Sequence, residues 1–276
     1  MSSYVADAPR RATVRQITAR KGGEPIVCLT AYTAPMAAVL DEVCDVLLVG
    51  DSVGMVVHGL PNTIGVTLEM MILHGQAVMR ASKKALVVVD MPFGAYEGGH
   101  ERAYENAVRV LKETGAQAVK VESGPEVADT IAFLTRRGIP VMAHVGLRPQ
   151  AVLLEGAFRA RGKRPEEASC VVAEARDAAA AGAFCVVVEG VAESLAAKIT
   201  AAIPVPTIGI GASAGCDGQI LVTEDMLGLF EWTPKFVRRY ADMRGEIARA
   251  IREYAADVRS GAFPARAETY FSTHKA

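Results

Sequence analysis

Long apolar runs are missing from this chain. Its hydrophobic stretches are strand-length and fall far short of the roughly 20 residues that span a bilayer. Cysteine is sparse as well: Cys28, Cys44, Cys170, Cys185 and Cys216 are scattered, odd in number and form no CxxC pair. That pattern excludes a disulfide framework and a thiolate zinc site, and it fits small hydrophobes in a reducing compartment. Charge of one sign is absent too, with Lys+Arg 30 against Asp+Glu 31 and a net charge of -1. With no basic stripe, binding to nucleic acid is not expected. The N-terminus lacks a basic region joined to an apolar run and a small-residue cleavage site, so no signal peptide is read there. The expectation is a soluble cytoplasmic globular protein with neither nucleic acid nor membrane as a partner.

What is present is a rhythm of short, β-rich apolar runs. They fall at 25–32, 45–50, 85–91, 118–122, 140–145, 183–189, 206–211 and 219–223, with helix-like stretches such as 101–114, 126–137 and 165–181 between them. Most runs are apolar on both faces, as strands are when both sides of a parallel sheet are covered. Eight strands alternating with helices predict an α/β fold, a (β/α)8 TIM barrel. A doubly wound sheet competes, but it would more often carry GxGxxG after its first strand, and none is there. One domain over 1–276 is expected. An N-terminal segment at 12–20 and a long helix over 233–259 would flank the barrel, with an irregular tail from Gly261.

The acids stand out by position. The second run, VLLVGDSVGM (46–55), delivers Asp51; the third, VVVDMPF, ends at Asp90; the fourth, VKVES, at Glu122; the sixth, VVVEG, at Glu189. The fifth carries His144 within MAHVGL, and the fourth also holds Lys120. In a barrel the carboxyl ends of all strands converge on one face. Four carboxylates arriving there repel one another unless something positive sits among them. A hard divalent cation is the economical answer, and Mg²⁺ takes one or two carboxylates plus water and substrate oxygens.

Each residue also has a plainer explanation. A single acid at a strand end is more often a helix N-cap or a salt-bridge partner, and both Asp51 and Ser52 are able to cap. Lys120 points to the same strand face as Glu122, where it either balances charge or holds a substrate carboxylate. His144 in a buried strand is by default a hydrogen-bonded core histidine. His58, His74, His100 and His274 have no ligand-like spacing. The glycine-rich TIGIGASAGCDGQI (207–220) suits phosphate binding or simple close approach of backbone. EGAFRARGK (155–163) is a mobile lid or a surface loop.

TAY (30–32), VGDSVGM (49–55), DMPF (90–93), VKVE (119–122), HVGLRPQ (144–150), IGIGA (208–212), CDGQILV (216–222) and PKF (234–236) together resemble the ketopantoate hydroxymethyltransferase family. The match runs in order through nearly the whole chain. The resemblance implies a (β/α)8 barrel of the phosphoenolpyruvate mutase/isocitrate lyase superfamily type. It implies transfer of a hydroxymethyl group from 5,10-methylenetetrahydrofolate to 3-methyl-2-oxobutanoate (α-ketoisovalerate), giving 2-dehydropantoate in pantothenate biosynthesis. It further implies Mg²⁺, the folate as co-substrate, and a homo-oligomer, often a decamer.

Carried over residue by residue, Asp51 and Asp90 match the Mg²⁺ ligands and Glu122 the acid that completes the metal site. Asp51, Ser52, Asp90, Lys120 and His144 match the substrate contacts, and Glu189 matches the general base. The chemistry is consistent: a 2-oxoacid offers its ketone and carboxylate oxygens side by side to Mg²⁺, which polarises the ketone toward an enolate. A base within hydrogen-bond reach then takes the C3 proton. The alternative is another Mg²⁺-dependent C–C lyase or mutase of that superfamily acting on small 2-oxoacids. The lyase branch usually carries its cysteine in a KKCGH-like loop, a setting that no cysteine here shares. A non-catalytic barrel used as a binding module leaves four converging acids unexplained.

Overall fold

The computed structural model describes residues 11–124 and 126–271, so His274 lies outside the described residues. The chain divides after Val222 into two compact units. The first is built on eight parallel strands: β1 (Ile26–Thr30), β2 (Val46–Val49), β3 (Leu86–Asp90), β4 (Ala118–Glu122), β5 (Val141–Gly146), β6 (Cys185–Glu189), β7 (Thr207–Ile210) and β8 (Gly218–Leu221). They close into a barrel in sequence order, β8 pairing back to β1 through Ile26 and Gly218. This is the expected (β/α)8 architecture, and the expected helices appear at His100–Thr114, Val127–Thr135 and Pro165–Ala180.

Period-two alternation explains why the strands read as unbroken apolar runs. Val46, Leu48, Leu86, Val88, Ala118, Met142, Cys185 and Val187 point into the barrel, where they form one buried cluster. Their neighbours Leu47, Val49, Val87, Val89, Val119, Val121, Val186 and Val188 face outward into a second cluster with the helices. Along β2 to β6 both faces are buried up to the strand ends, so both read as largely apolar. Each fully buried Val or Leu contributes about 1.5–3 kcal/mol relative to exposure.

The amino-terminal end of the barrel is plugged. A short helix, Val14–Thr18, starts with a Thr13–Gln16 capping box and sends Ile17 into the interior cluster beside Ile26 and Phe184. Two buried acids at this end are structural. Asp41 accepts from the Ser82 hydroxyl and the Lys83, Lys84 and Ala85 amides. Asp217, in the glycine-rich stretch, accepts from Lys21, Gly22 and Thr207. It therefore stands at the end of the barrel opposite the strand carboxyl termini, and no helix lies between β7 and β8 among the described residues.

The second unit, described by itself, corrects one expectation. The long helix runs from Met243 to Ser260, not from 233. The backbone amides of Tyr240, Met243 and Arg244 donate to the Met226, Leu227 and Gly228 carbonyls. That turn, rather than an earlier helical turn, takes these donors, so the helix begins only after Asp242, whose side chain caps the Gly245 amide at 3.2 Å. The side chains of Met243, Ile247, Ile251, Tyr254 and Val258 line one face of the helix and are exposed.

Candidate active site

Strand parity sets the site. Continuing the inward positions 86 and 88 gives Asp90; inward Ala118 gives Lys120 and Glu122; inward Met142 gives His144; inward Cys185 and Val187 give Glu189. All five emerge at the carboxyl end of the barrel. The interstrand register sets Asp90 opposite Lys120 and Glu122 opposite His144.

Asp51 does not follow parity, because the inward position after Val46 and Leu48 is Gly50. It enters from the turn. Its backbone amide donates to Asp90 Oδ2 at 2.9 Å, and its Oδ2 accepts from Gln150 Nε2 at 2.8 Å. Gly50 makes this approach possible: a Cβ there would lie 2.8 Å from Ser52 Oγ and 3.6 Å from Asp90 Oδ2. Neither capping reading holds. Ser52 precedes the short helix Val53–Val56 without a side-chain cap bond, and its hydroxyl instead meets the Tyr32 hydroxyl at 2.7 Å.

The positive charge among the acids is Lys120, with Nζ 2.7 Å from Asp90 Oδ1. Burial disfavours its charge, but Asp90, Asp51 and Glu122 outweigh that and raise its pKa. Burial, then the Asp90 charge, pushes Asp51 up to about 7, with Lys120 acting against the rise. Glu122 is likewise raised well above the ordinary carboxylate value, by burial first and Asp51 second. The structural acids behave oppositely. Burial raises Asp41 and Asp217 too, but their backbone donors win and both end below the ordinary value. Unrelieved acids gathered at strand ends mark a functional centre rather than a scaffold.

His144 joins two of the acids. Its Nε2 lies 3.2 Å from Glu189 Oε2 and its Nδ1 3.8 Å from Glu122 Oε1. Burial lowers its pKa, against the pull of Glu189. Glu189 is the most open of the four acids, its side chain 18% exposed where that of Asp90 is 3%. Gly146, at φ 96, holds β5 against it, since a Cβ there would lie 2.2 Å from the Glu189 carbonyl oxygen. Beyond β5, Arg161 N–H donates to Gly190 O at 2.8 Å, which pins the 155–163 stretch beside Glu189.

Sequence reasoning missed three residues. Gln150 and Tyr96 are buried within the carboxylate group, and Tyr32 holds Ser52. TAY and HVGLRPQ contain two of them, but nothing local says where a loop side chain will point. His58 and His74, unremarkable in spacing, bring their Nε2 atoms within 2.9 Å, and His74 Nδ1 meets the Tyr32 carbonyl at 2.7 Å.

Among the described residues, no three His, Cys, Asp or Glu side chains gather closely enough to hold a metal alone. Mg²⁺ asks for less, one or two carboxylates with the remaining positions filled by water and substrate. The hard oxygens of Asp51 and Asp90 supply that, and their charge, with that of Glu122 and Glu189, exceeds what Lys120 balances. The donor set fits a hard divalent cation. Among the described residues the Ser123 hydroxyl is also buried without a hydrogen-bond partner, a cost that a polar ligand relieves.

A raised carboxylate binds its proton more tightly in the folded state. Its stabilising contribution is present below the ordinary carboxylate value and is lost as pH rises through about 7, the value for Asp51. Metal-free protein is therefore expected to melt lower at about pH 8 than at about pH 5, with a smaller difference in Asp51→Asn. Thermal denaturation in chelator at both pH values checks this; equal melting of the wild type would refute it.

A parallel barrel with acids, a lysine and a histidine gathered at its carboxyl face defines the class, a (β/α)8-barrel enzyme. The crystal structure of 2,3-dimethylmalate lyase, a member of the phosphoenolpyruvate mutase/isocitrate lyase superfamily, superposes with a TM-score of 0.58 at 18% identity, covering 93% of this chain and 87% of that one. The sequence pattern described as Ketopantoate hydroxymethyltransferase matches residues 11–266. The 3-methyl-2-oxobutanoate hydroxymethyltransferase of Caulobacter vibrioides (strain NA1000 / CB15N) is 72% identical over 272 residues, 99% of either chain. That of Phenylobacterium zucineum (strain HLK1) is 71% identical over the same length and coverage. The chain belongs to the ketopantoate hydroxymethyltransferase family.

Proposed function

We propose that the chain transfers a hydroxymethyl group from 5,10-methylenetetrahydrofolate to C3 of 3-methyl-2-oxobutanoate, forming 2-dehydropantoate for pantothenate synthesis. The observation that carries the mechanism is the placement of Glu189. It is the acid open to the barrel mouth, facing His144 across from the Asp51–Asp90–Lys120 group.

In this reading Asp51 and Asp90 hold Mg²⁺, with Glu122 completing the charge around it. The cation supplies Lewis-acid polarisation of the substrate ketone, which acidifies C3. Lys120 and Ser52 hold the oxoacid, the lysine by its fixed positive charge and the serine by a hydroxyl already oriented by Tyr32. Glu189 takes the C3 proton, with His144 Nε2 standing beside its carboxylate at 3.2 Å. The carbanion carbon so formed bonds to the one-carbon unit of the folate; the two C–N bonds that held that unit break, water supplies the oxygen of the new CH₂OH group, and tetrahydrofolate leaves with the protons returned to its nitrogens. Asp90 and Lys120 are each almost fully buried, so this group has little freedom to move during proton transfer.

The exposed face of the Met243–Ser260 helix supports association of the chain with itself, as a homo-oligomer and in this reading a decamer. Five free thiols, four of them buried, support a reducing, cytoplasmic setting. No helix among the described residues is long and apolar enough to cross a membrane.

The test is a coupled assay of purified protein with the oxoacid, methylenetetrahydrofolate and Mg²⁺. Formation of 2-dehydropantoate that stops on chelation is expected. A folded protein that makes none would sink the reading.

A further inference from the structure

Gln150 has no part in the chemistry proposed for the site, yet it bonds to two of the acids. It is 6% exposed and sits in the single turn Pro149–Ala151 that follows β5. Its Nε2 donates to Asp51 Oδ2 at 2.8 Å and to the Met91 carbonyl at 3.0 Å. Its Oε1 accepts from the Tyr96 hydroxyl at 2.7 Å. Its backbone amide donates to the Glu122 carboxylate, 3.3 Å from Oε1 and 3.1 Å from Oε2.

This network permits one orientation of the amide. Reversal would set the Gln150 oxygen against Asp51 Oδ2 and the Met91 carbonyl, both acceptors. It would also set the NH₂ group against a phenol oxygen that already accepts the Glu122 amide at 3.2 Å. Tyr96 thus locks Gln150, and Gln150 locks Asp51. One oxygen of Asp51 is committed, while Oδ1 has no donor among the described residues. A small octahedral cation demands near-ideal ligand placement, and a carboxylate tethered through one oxygen offers the other in a fixed direction. The glutamine also does this without charge. A lysine there would repel the cation, and a glutamate would add a fifth acid to the cluster.

We propose that Gln150 is a positioning residue for the divalent cation, fixing Asp51 as a single-oxygen ligand, and that Tyr96 acts on the cation only through Gln150. The proposal rests on Asp51 and Asp90 being the cation ligands. Outer-shell partners of metal ligands commonly contribute 10–100-fold to affinity.

The experiment is a titration of the full chain with Mn²⁺, reading the free ion by electron paramagnetic resonance. Gln150→Met keeps the volume and removes the hydrogen bonds; it is expected to bind Mn²⁺ about 10–100-fold more weakly. Its circular dichroism and its melting in chelator should stay close to wild type. Tyr96→Phe is expected to weaken binding less, and the double variant to bind no more weakly than Gln150→Met alone, since the two act in series. If Gln150→Met fails to fold, Gln150→Asn serves instead. It adds no charge, but its side chain is one methylene shorter and withdraws the amide from Asp51, and the same loss is expected. Mn²⁺ affinity within twofold of wild type in a folded Gln150 variant overturns the proposal, as do independent, additive losses. Failure of the ligand assignment looks different: wild type and Asp51→Asn would then titrate alike, and the proposal would fall with it.

Discussion

Glu189→Gln is expected to abolish exchange of the C3 proton of 3-methyl-2-oxobutanoate with solvent deuterium, while Mg²⁺-dependent binding of the oxoacid stays within a few-fold of wild type. The amide matches the carboxylate in shape but is no base. Loss of a positioned general base costs about 10²–10⁴-fold. Binding should survive, because the cation and carboxylate contacts assigned to it lie elsewhere: Asp90 and Lys120 are on β3 and β4, Asp51 is in the turn after β2, and Glu189 ends β6. His144 does not replace the lost base well. Its basicity is reduced by burial, and its Nε2 faces Glu189, 3.2 Å away. Proton exchange followed by nuclear magnetic resonance reads the step without the folate, so it separates base from co-substrate effects. Exchange at the wild-type rate would remove Glu189 from the role.

Much of this centre was legible because a buried strand leaves few choices. Once 86–90 and 118–122 are strands with apolar residues on both faces, parity alone carries Asp90, Lys120 and Glu122 inward together. The same rule puts His144 and Glu189 there. Parity fails at Asp51, whose inward neighbour is a glycine, and the turn that delivers it is held by an amide donated to Asp90. The acid was found by its type and by position after a strand, and its conformation was not foreseeable. Gln150 and Tyr96 lie in turns after β5 and β3, where no periodicity fixes direction, and their roles depend on meeting each other across 54 residues. The late start of the final helix has the same cause, since the carbonyls that hold residues 240–244 belong to a turn at 226–228. Local pattern reports what a strand face must be; it does not report which distant group will complete a loop.

The second large effect is expected at Lys120. Lys120→Met keeps most of the volume but leaves Asp90 buried beside Asp51 without its counter-charge, Nζ having stood 2.7 Å from Asp90 Oδ1. Removing one partner of a buried pair typically costs about 3–5 kcal/mol, and the metal-free variant should be destabilised on that scale. Oxoacid binding should weaken as well, since the lysine is the fixed positive charge available to a substrate carboxylate. A divalent cation at Asp51 and Asp90 would return positive charge to the same place. Mg²⁺ should therefore raise the melting temperature of Lys120→Met by more than it raises that of wild type. Asp90→Ala separates the two contributions: it also breaks the ion pair, but it removes a cation ligand, so Mg²⁺ should restore little. Thermal denaturation of both variants with and without Mg²⁺ decides the matter. A Lys120→Met protein that gains no more from Mg²⁺ than wild type would show that lysine and cation do not share one field of carboxylates.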